Sequence, residues 1–304
     1  EENVRALEAA LKYGKEYLLV MLFGLLPFAV EQIYSSTLRE CGETMLPMKA
    51  GILAVFLNLF LNYLLIFGNF GFPELGVTGA AIATVISQAV TALWLVFHFM
   101  KGSSHLKIRL PYLQLNKQIV KIIFSIGMAP FAMQIASSFV QVFANNTLMT
   151  YGGDLAIGAM TVINSIALLF LMPIFGINQG AQPIIGYNHG AKLYHRSKNA
   201  FMYAVISATV ILLLGSTVIQ LFPQIFVSVF NDDPTLTDMA VEGMKIFLFA
   251  LPILGISVVG PNYFQSIGKA RISLFLSLLR QVILFIPLLF ILPHFMGLKG
   301  IWFA

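Results

Sequence analysis

The chain has 304 residues, of which 58% are hydrophobic and only 10% charged, and its mean hydropathy is +0.86. A soluble domain carries about a quarter charged residues, so this composition excludes an ordinary solvated globule. The net charge of +5 gathers at the ends of apolar segments, a pattern of membrane topology and not of nucleic-acid binding, and the single cysteine, Cys41, excludes an internal disulfide.

The chain opens at Glu1 with no signal-peptide pattern and stops at "GLKGIWFA", just as another apolar segment begins, so it reads as a piece of a longer protein. A helix needs about 20 apolar residues to cross the ~30 Å hydrocarbon layer. Eight segments have that length: Tyr17–Leu38, Met45–Gly68, Val77–Met100, Ile119–Met149, Leu155–Ile177, Asn199–Phe222, Gly243–Gln265 and Ile272–Leu292. Lipid offers the backbone no partners, so helices are expected, and the alternation of a barrel strand is absent. Interior Pro27, Pro130, Pro173, Pro252 and Pro287 predict kinks.

Polar residues punctuate these spans. In the first, Glu31 stands beside Gln32 and Ser35, roughly 10 Å from the end of the span at Leu38. A carboxylate at that depth is a candidate for binding a proton or cation. Asn58 and Asn62, four apart, share one face of the second span. In the fourth, Gln134, Ser138, Gln141 and Asn145 fall at i, i+4, i+7 and i+11, and Thr161, Asn164 and Ser165 continue the theme in the fifth. Such stripes mark either helix–helix hydrogen bonds or a wet cavity; three in neighbouring helices favour the cavity. Arg280 lies about 13 Å beyond Arg271, as a cavity residue or a snorkelling one.

The stretch "PIFGINQGAQPIIGYNHGAK" is unusual for a membrane span. Its prolines, glycines and amides predict an unwound connection in which the amides satisfy freed backbone and the glycines admit neighbouring helices. Further on, "NDDPTLTD" resembles the aspartate clusters that hold magnesium and diphosphate in membrane prenyltransferases. No second acidic cluster answers it, so a turn and helix cap is the simpler reading. No Ser/His or Cys/His pairing, zinc spacing or Walker-type loop occurs. Neither an enzyme nor a bound metal or cofactor is expected, and pumping would have to draw on an ion gradient.

Loop charges set the topology. Arg39 and Lys49, then Lys101, Lys107, Arg109, Lys117 and Lys121, then Lys192, Arg196 and Lys198, then Lys269 and Arg271 lie on alternate connections. Glu74, Asp154, Asp232, Asp233, Asp238 and Glu242 lie on the others, which makes the first group cytoplasmic. A weak repeat is also present. "CGETMLPMKAG" leads through a span to "ELGVTGAAIA", and "SIGKARISLFLS" leads through another to "FMGLKGIWFA", so that Gly42, Gly76 and Gly79 correspond to Gly268, Gly297 and Gly300. The repeat implies two parallel six-helix halves, the first lacking three helices and the second most of its last.

The stretch from Pro173 closely resembles the segment joining the eighth and ninth helices of the multidrug and toxic compound extrusion (MATE) transporters, through Pro173, Gly176, Gln179, Gly180, Gln182, Pro183, Gly186, Asn188, Gly190 and Ala191. "NLFLNYLLIFGNFGFPELGVTGAAIATVISQ", Asn58 to Gln88, resembles their fifth and sixth helices. The resemblance implies an all-α, polytopic membrane fold of two six-helix lobes related by a pseudo-two-fold along the membrane normal. Residues 1–100 would be the rest of the first lobe, 101–117 a cytoplasmic linker and 118–304 the second lobe. It implies a secondary-active antiporter of the cytoplasmic membrane, bacterial, monomeric, exporting cationic amphipathic drugs in exchange for H+ or Na+. Ion coupling would then involve Asn58, Asn62 and Thr84, with Glu31 as a candidate acid, since Asn62 replaces a frequent aspartate. Gln134, Ser138, Gln141, Asn145, Asn164 and Arg280 would line the substrate cavity, and Pro173 to Asn188 would form a hinge. The alternative is a lipid-linked oligosaccharide flippase of related fold.

Overall fold

The computed structural model describes residues 2–101, 106, 114–230 and 233–303, and among them the regular structure is entirely helical. The chain divides into two units, Glu1–Gln114 and Leu115–Ala304. The expected linker at 101–117 lies mostly outside the described residues, and its end residues Lys101 and Lys117 belong to helices.

The first unit has three long helices: α1 (Glu2–Glu40), α2 (Met45–Phe67) and α3 (Gly76–Lys101). α1 and α2 both pack on α3 and scarcely on each other. The buried side of α3 explains its central place: Gly79, Ala81, Ala83, Ser87, Thr91 and Ala92 are small, so two backbones can come close. A larger cluster of Leu38, Ala50, Leu95 and Phe99 closes one end. There His98 meets Glu43 of the α1–α2 turn at 3.1 Å.

The second unit begins with α4 (Lys117–Gly190), 74 residues of helical backbone broken at Gly153, whose φ of 65° and ψ of −160° are not helical. Residues 117–152 and 154–190 are therefore two spans joined by one glycine. Then follow α5 (Tyr194–Leu221), α6 (Pro223–Ser228), α7 (Pro234–Phe247), α8 (Leu251–Ser266), α9 (Ala270–Leu278), α10 (Phe285–Met296) and α11 (Leu298–Phe303). Ile163, Ile166, Ile174, Leu212, Met244 and Leu248 form the centre of this unit, each no more than about 1% exposed. Outside them the surface is apolar, as lipid requires: Phe249 is 75% exposed and Leu214 62%.

Two expected spans are broken where proline dictates. Pro252 has no N–H to give the carbonyl of Leu248, and a 3₁₀ turn, Leu248–Ala250, separates α7 from α8. The hydroxyl of Ser216 on α5 donates to that carbonyl at 3.0 Å. Likewise a π-helical turn, Leu279–Leu284, ends just before Pro287, which leaves the carbonyl of Ile283 without its donor.

The expected unwinding after Ile177 does not occur. Helix α4 continues through Pro183 to Gly190, and Ala191–Leu193 form the turn. A proline removes one hydrogen bond from a helix, and the side chains here support the rungs that remain: Asn188 donates to the carbonyl of Ile184 at 2.7 Å and Asn262 to that of Asn178 at 3.3 Å.

The glycines of the repeat do the same work in each unit. Gly42, Gly76, Gly268 and Gly297 all have φ between +52° and +86°. Gly79 lies against the carbonyl of Leu65 and Gly300 against that of Leu292, so closely in both cases that no Cβ would fit.

Candidate functional site

In the first unit three of the four expected coupling residues meet. Asn58 on α2 donates to Oγ1 of Thr84 on α3 at 3.2 Å, and Asn62 donates to Oδ1 of Asn58 at 3.0 Å. The hydroxyl of Thr84 in turn donates to the carbonyl of Ala80 at 2.9 Å. The small residues of α3 let α2 approach closely enough for these short side chains to touch. The chain of donors ends on acceptors: Oδ1 of Asn62 and, one turn beyond Thr84, Oε1 of Gln88 are both buried with no hydrogen-bond partner among the described residues. Gln88 was not singled out by sequence. Its position i+4 from Thr84 was the available signal. Its carbonyl lies against Gly24 of α1.

Glu31 does not join this cluster. Among the described residues its one hydrogen bond is from Nε2 of its neighbour Gln32, at 3.4 Å, and it is half-buried on α1. A second carboxylate of α1, Glu16, accepts from Oγ1 of Thr78 at 3.3 Å and so ties α1 to the start of α3.

In the second unit the polar stripe is real and faces outward. Gln134, Ser138, Gln141 and Asn145 are all exposed, and so are Thr161, Asn164 and Ser165. Their hydrogen bonds run within their own helix: Ser138 to the carbonyl of Gln134 at 3.1 Å, Gln141 to Asn145 at 3.0 Å, Ser165 to the carbonyl of Thr161 at 2.9 Å. They do not hold neighbouring helices of the unit together. That task falls to residues sequence reading passed over, such as Gln281, which donates to Ser137 at 2.6 Å, and Gln220, which donates to the carbonyl of Lys245 at 2.7 Å. Arg280, beside Gln281 on the π-turn, is half-buried and makes no ion pair or hydrogen bond among the described residues.

Pro173, Gly176, Gly180 and Pro183 recur at i, i+3, i+7 and i+10, one face of α4. A Cβ at Gly176 or Gly180 would meet nothing within 4 Å, whereas at Gly186 it would press on the carbonyl of Ser266. Close approach is therefore the role of Gly186 alone among these three. Gln179 is exposed and Gln182 half-buried on the same helix.

In "NDDPTLTD", Asn231 and Asp232 lie outside the described residues. Asp233 caps α7, accepting from the amide of Thr235 at 2.9 Å and its hydroxyl at 2.7 Å. Those two bonds, the hydroxyl's first, hold its carboxyl below the usual range. The cap was legible in the sequence.

The family model MatE matches residues 5–64 and 121–291. The chain is 30% identical over 294 residues to the probable multidrug resistance protein NorM of Thermotoga maritima, covering 95% of this chain and 62% of that protein. It is 29% identical over 292 residues to the multidrug export protein MepA of Staphylococcus aureus, covering 96% of this chain and 62% of that one. The chain thus spans about 62% of the length of these relatives. A solved outward-facing conformation of a multidrug resistance MATE family transporter of the MOP superfamily aligns with a TM-score of 0.87 at 25% identity, over 94% of this chain and 64% of that one. MATE in its bent conformation aligns with a TM-score of 0.84, again at 25% identity, over 94% and 63%.

Proposed function

This chain belongs to the MatE family, and on that premise we propose that it is the greater part of a secondary-active antiporter that exports cationic amphipathic compounds in exchange for H+ or Na+. It is a multi-pass protein of the cell membrane: among the described residues seven helical stretches are long and apolar enough to cross it, α7 with α8 and α9 with α10 each forming one, and α4 supplies two of the crossings. The observation that carries the coupling proposal is the Asn58–Asn62–Thr84 cluster with its unpaired oxygen. A bare amide oxygen held away from water attracts a proton donor or a small hard cation, and Na+ is taken up by oxygen ligands of this kind.

The outward stripe from Gln134 to Asn145, with Asn164 on the next arm, supports the substrate side of the reading. A polar face on a membrane span needs water or a ligand against it. Exposed Met128, Phe131 and Phe139 on the same arm offer polarisable and aromatic surface to a flat cation. Pro173, Gly176, Gly180 and Pro183 give α4 a face on which to bend between the two access states. The unpaired Arg280 would serve a substrate that also carries an anionic group. An oligosaccharide flippase would draw on several such cations, and Arg280 alone does not carry that reading.

The test uses the full-length protein in liposomes, following ethidium as first a proton and then a sodium gradient is imposed. Gradient-driven movement with one ion supports the antiporter and names the ion. Movement with neither removes the drug-export proposal.

A further inference from the structure

A groove of about 510 Å³ runs between the second arm of α4 and the start of α5. Its lower walls are apolar, with Ile177, Ala181 and Ala204, and its upper end is polar, with Asn188, Arg196 and Asn199. From Ile177 to Asn188 the helix rises roughly 16 Å, about the depth of one leaflet of the hydrocarbon core. The loop charges put its polar end at the cytoplasmic face.

The charge at that end is one-sided. Lys192, Arg196 and Lys198 crowd the α4–α5 turn, and residues 155–231 contain no Asp or Glu to answer them. Arg196 makes no ion pair or hydrogen bond among the described residues and is exposed. It stands in the first turn of α5, where the backbone N–H groups lack helical partners and add to the positive field.

The turn itself is built to hold a cation at a backbone position that favours glycine. Three cytoplasmic turns close alike: the amide of Glu43 reaches the carbonyl of Leu38 at 2.9 Å, Lys269 that of Phe264 at 2.8 Å, and Leu193 that of Asn188 at 2.8 Å. In the first two the residue before the closing amide is a glycine, Gly42 or Gly268, with φ of 86° or 76°; in the third it is Lys192, with φ of 61°. A lysine there is strained where glycine would not be.

We infer that this groove binds one phospholipid of the cytoplasmic leaflet with an anionic headgroup, its phosphate at Arg196 and Asn199 and one acyl chain along Ile177, Ala181 and Ala204. The site is separate from the coupling cluster and does not rest on the drug-export reading.

The test is native mass spectrometry of the full-length transporter, released from micelles holding phosphatidylglycerol or phosphatidylcholine. The unaltered protein keeps phosphatidylglycerol in preference. Arg196→Ala lowers that preference about fivefold, the worth of one cation near a charged surface. Lys192→Gly lowers it also while relieving the turn, so the loss cannot be laid to misfolding. Ser207→Phe, an exposed change at the deep end of the groove, lowers retention of the lipid with every cation intact. Equal retention of the two lipids, or full retention in Arg196→Ala, overturns the inference. So does full retention in Ser207→Phe, which would leave only a charged surface, or displacement of the lipid by millimolar inorganic phosphate, which would make it a free-anion site.

Discussion

Asn62 gives its amide hydrogen to Oδ1 of Asn58 and keeps its own Oδ1 buried with nothing to accept. A buried polar atom without a partner costs about 1–3 kcal/mol, so a protein that keeps one is holding an acceptor ready. Leucine at this position fills the space, removes the acceptor and releases Asn58. Asn62→Leu should cut ion-driven dye transport in liposomes by about tenfold or more, the kinetic equivalent of that energy, with the fold retained. Transport at the unaltered rate would take Asn62 out of the coupling step.

Gly79 and Gly300 should be intolerant of a single methyl group. Alanine at either would drive its Cβ into the carbonyl of Leu65 or Leu292 and push consecutive spans apart. Each substitution should cost about 1–3 kcal/mol, read as a lowered midpoint of thermal unfolding in detergent. An unshifted midpoint would mean that the helix ends yield freely.

Gly153→Ala tests the break in α4. The backbone at φ 65°, ψ −160° is a region that residues with a Cβ rarely enter. Alanine there should destabilise the second unit by about 1–3 kcal/mol. A variant as stable as the parent would show that the connection can be made another way.

Gly180→Ala should separate stability from function. Its surroundings are open and the backbone is helical, so alanine should add about 0.5–1 kcal/mol of helix stability. If α4 bends here during transport, the same change slows dye efflux. A rise in stability with unchanged efflux would remove Gly180 from the hinge.

Gln141→Leu with Asn145→Leu removes a hydrogen bond made on an exposed face within one helix. Folding stability should change by less than about 0.5 kcal/mol, as for exposed i,i+4 pairs. Binding of a dye cation should weaken several-fold by fluorescence titration. Unchanged binding would place the substrate elsewhere.

Much of this was legible in the sequence because bilayer thickness and the helical repeat leave few choices. The eight spans, the polar stripe of α4 and the Asn58–Asn62 pair follow from period and length alone. The fates of Pro183 and Pro252 were not legible. Both lack an N–H, yet α4 runs straight through Pro183 while the chain turns into a 3₁₀ segment before Pro252. The difference lies in neighbours that are distant in sequence: Ser216 accommodates the break at Leu248, while Asn262 and Asn188 support the helix around Pro183. Gln281 was missed for the same reason, since its partner Ser137 lies 144 residues away and is set only by helix packing.

The central position of α3 has a mechanical corollary. Because α1 rests on α3 and barely on α2, pulling the first unit from its N-terminal end should free α1 as a single step, with α2 and α3 still paired. The one turn of α3 from Thr84 to Gln88 borders both neighbours: Thr84 takes the hydrogen bond from α2, and Gln88 lies against Gly24 of α1. A rearrangement of the α2 amides would therefore reach α1 through a single turn of α3.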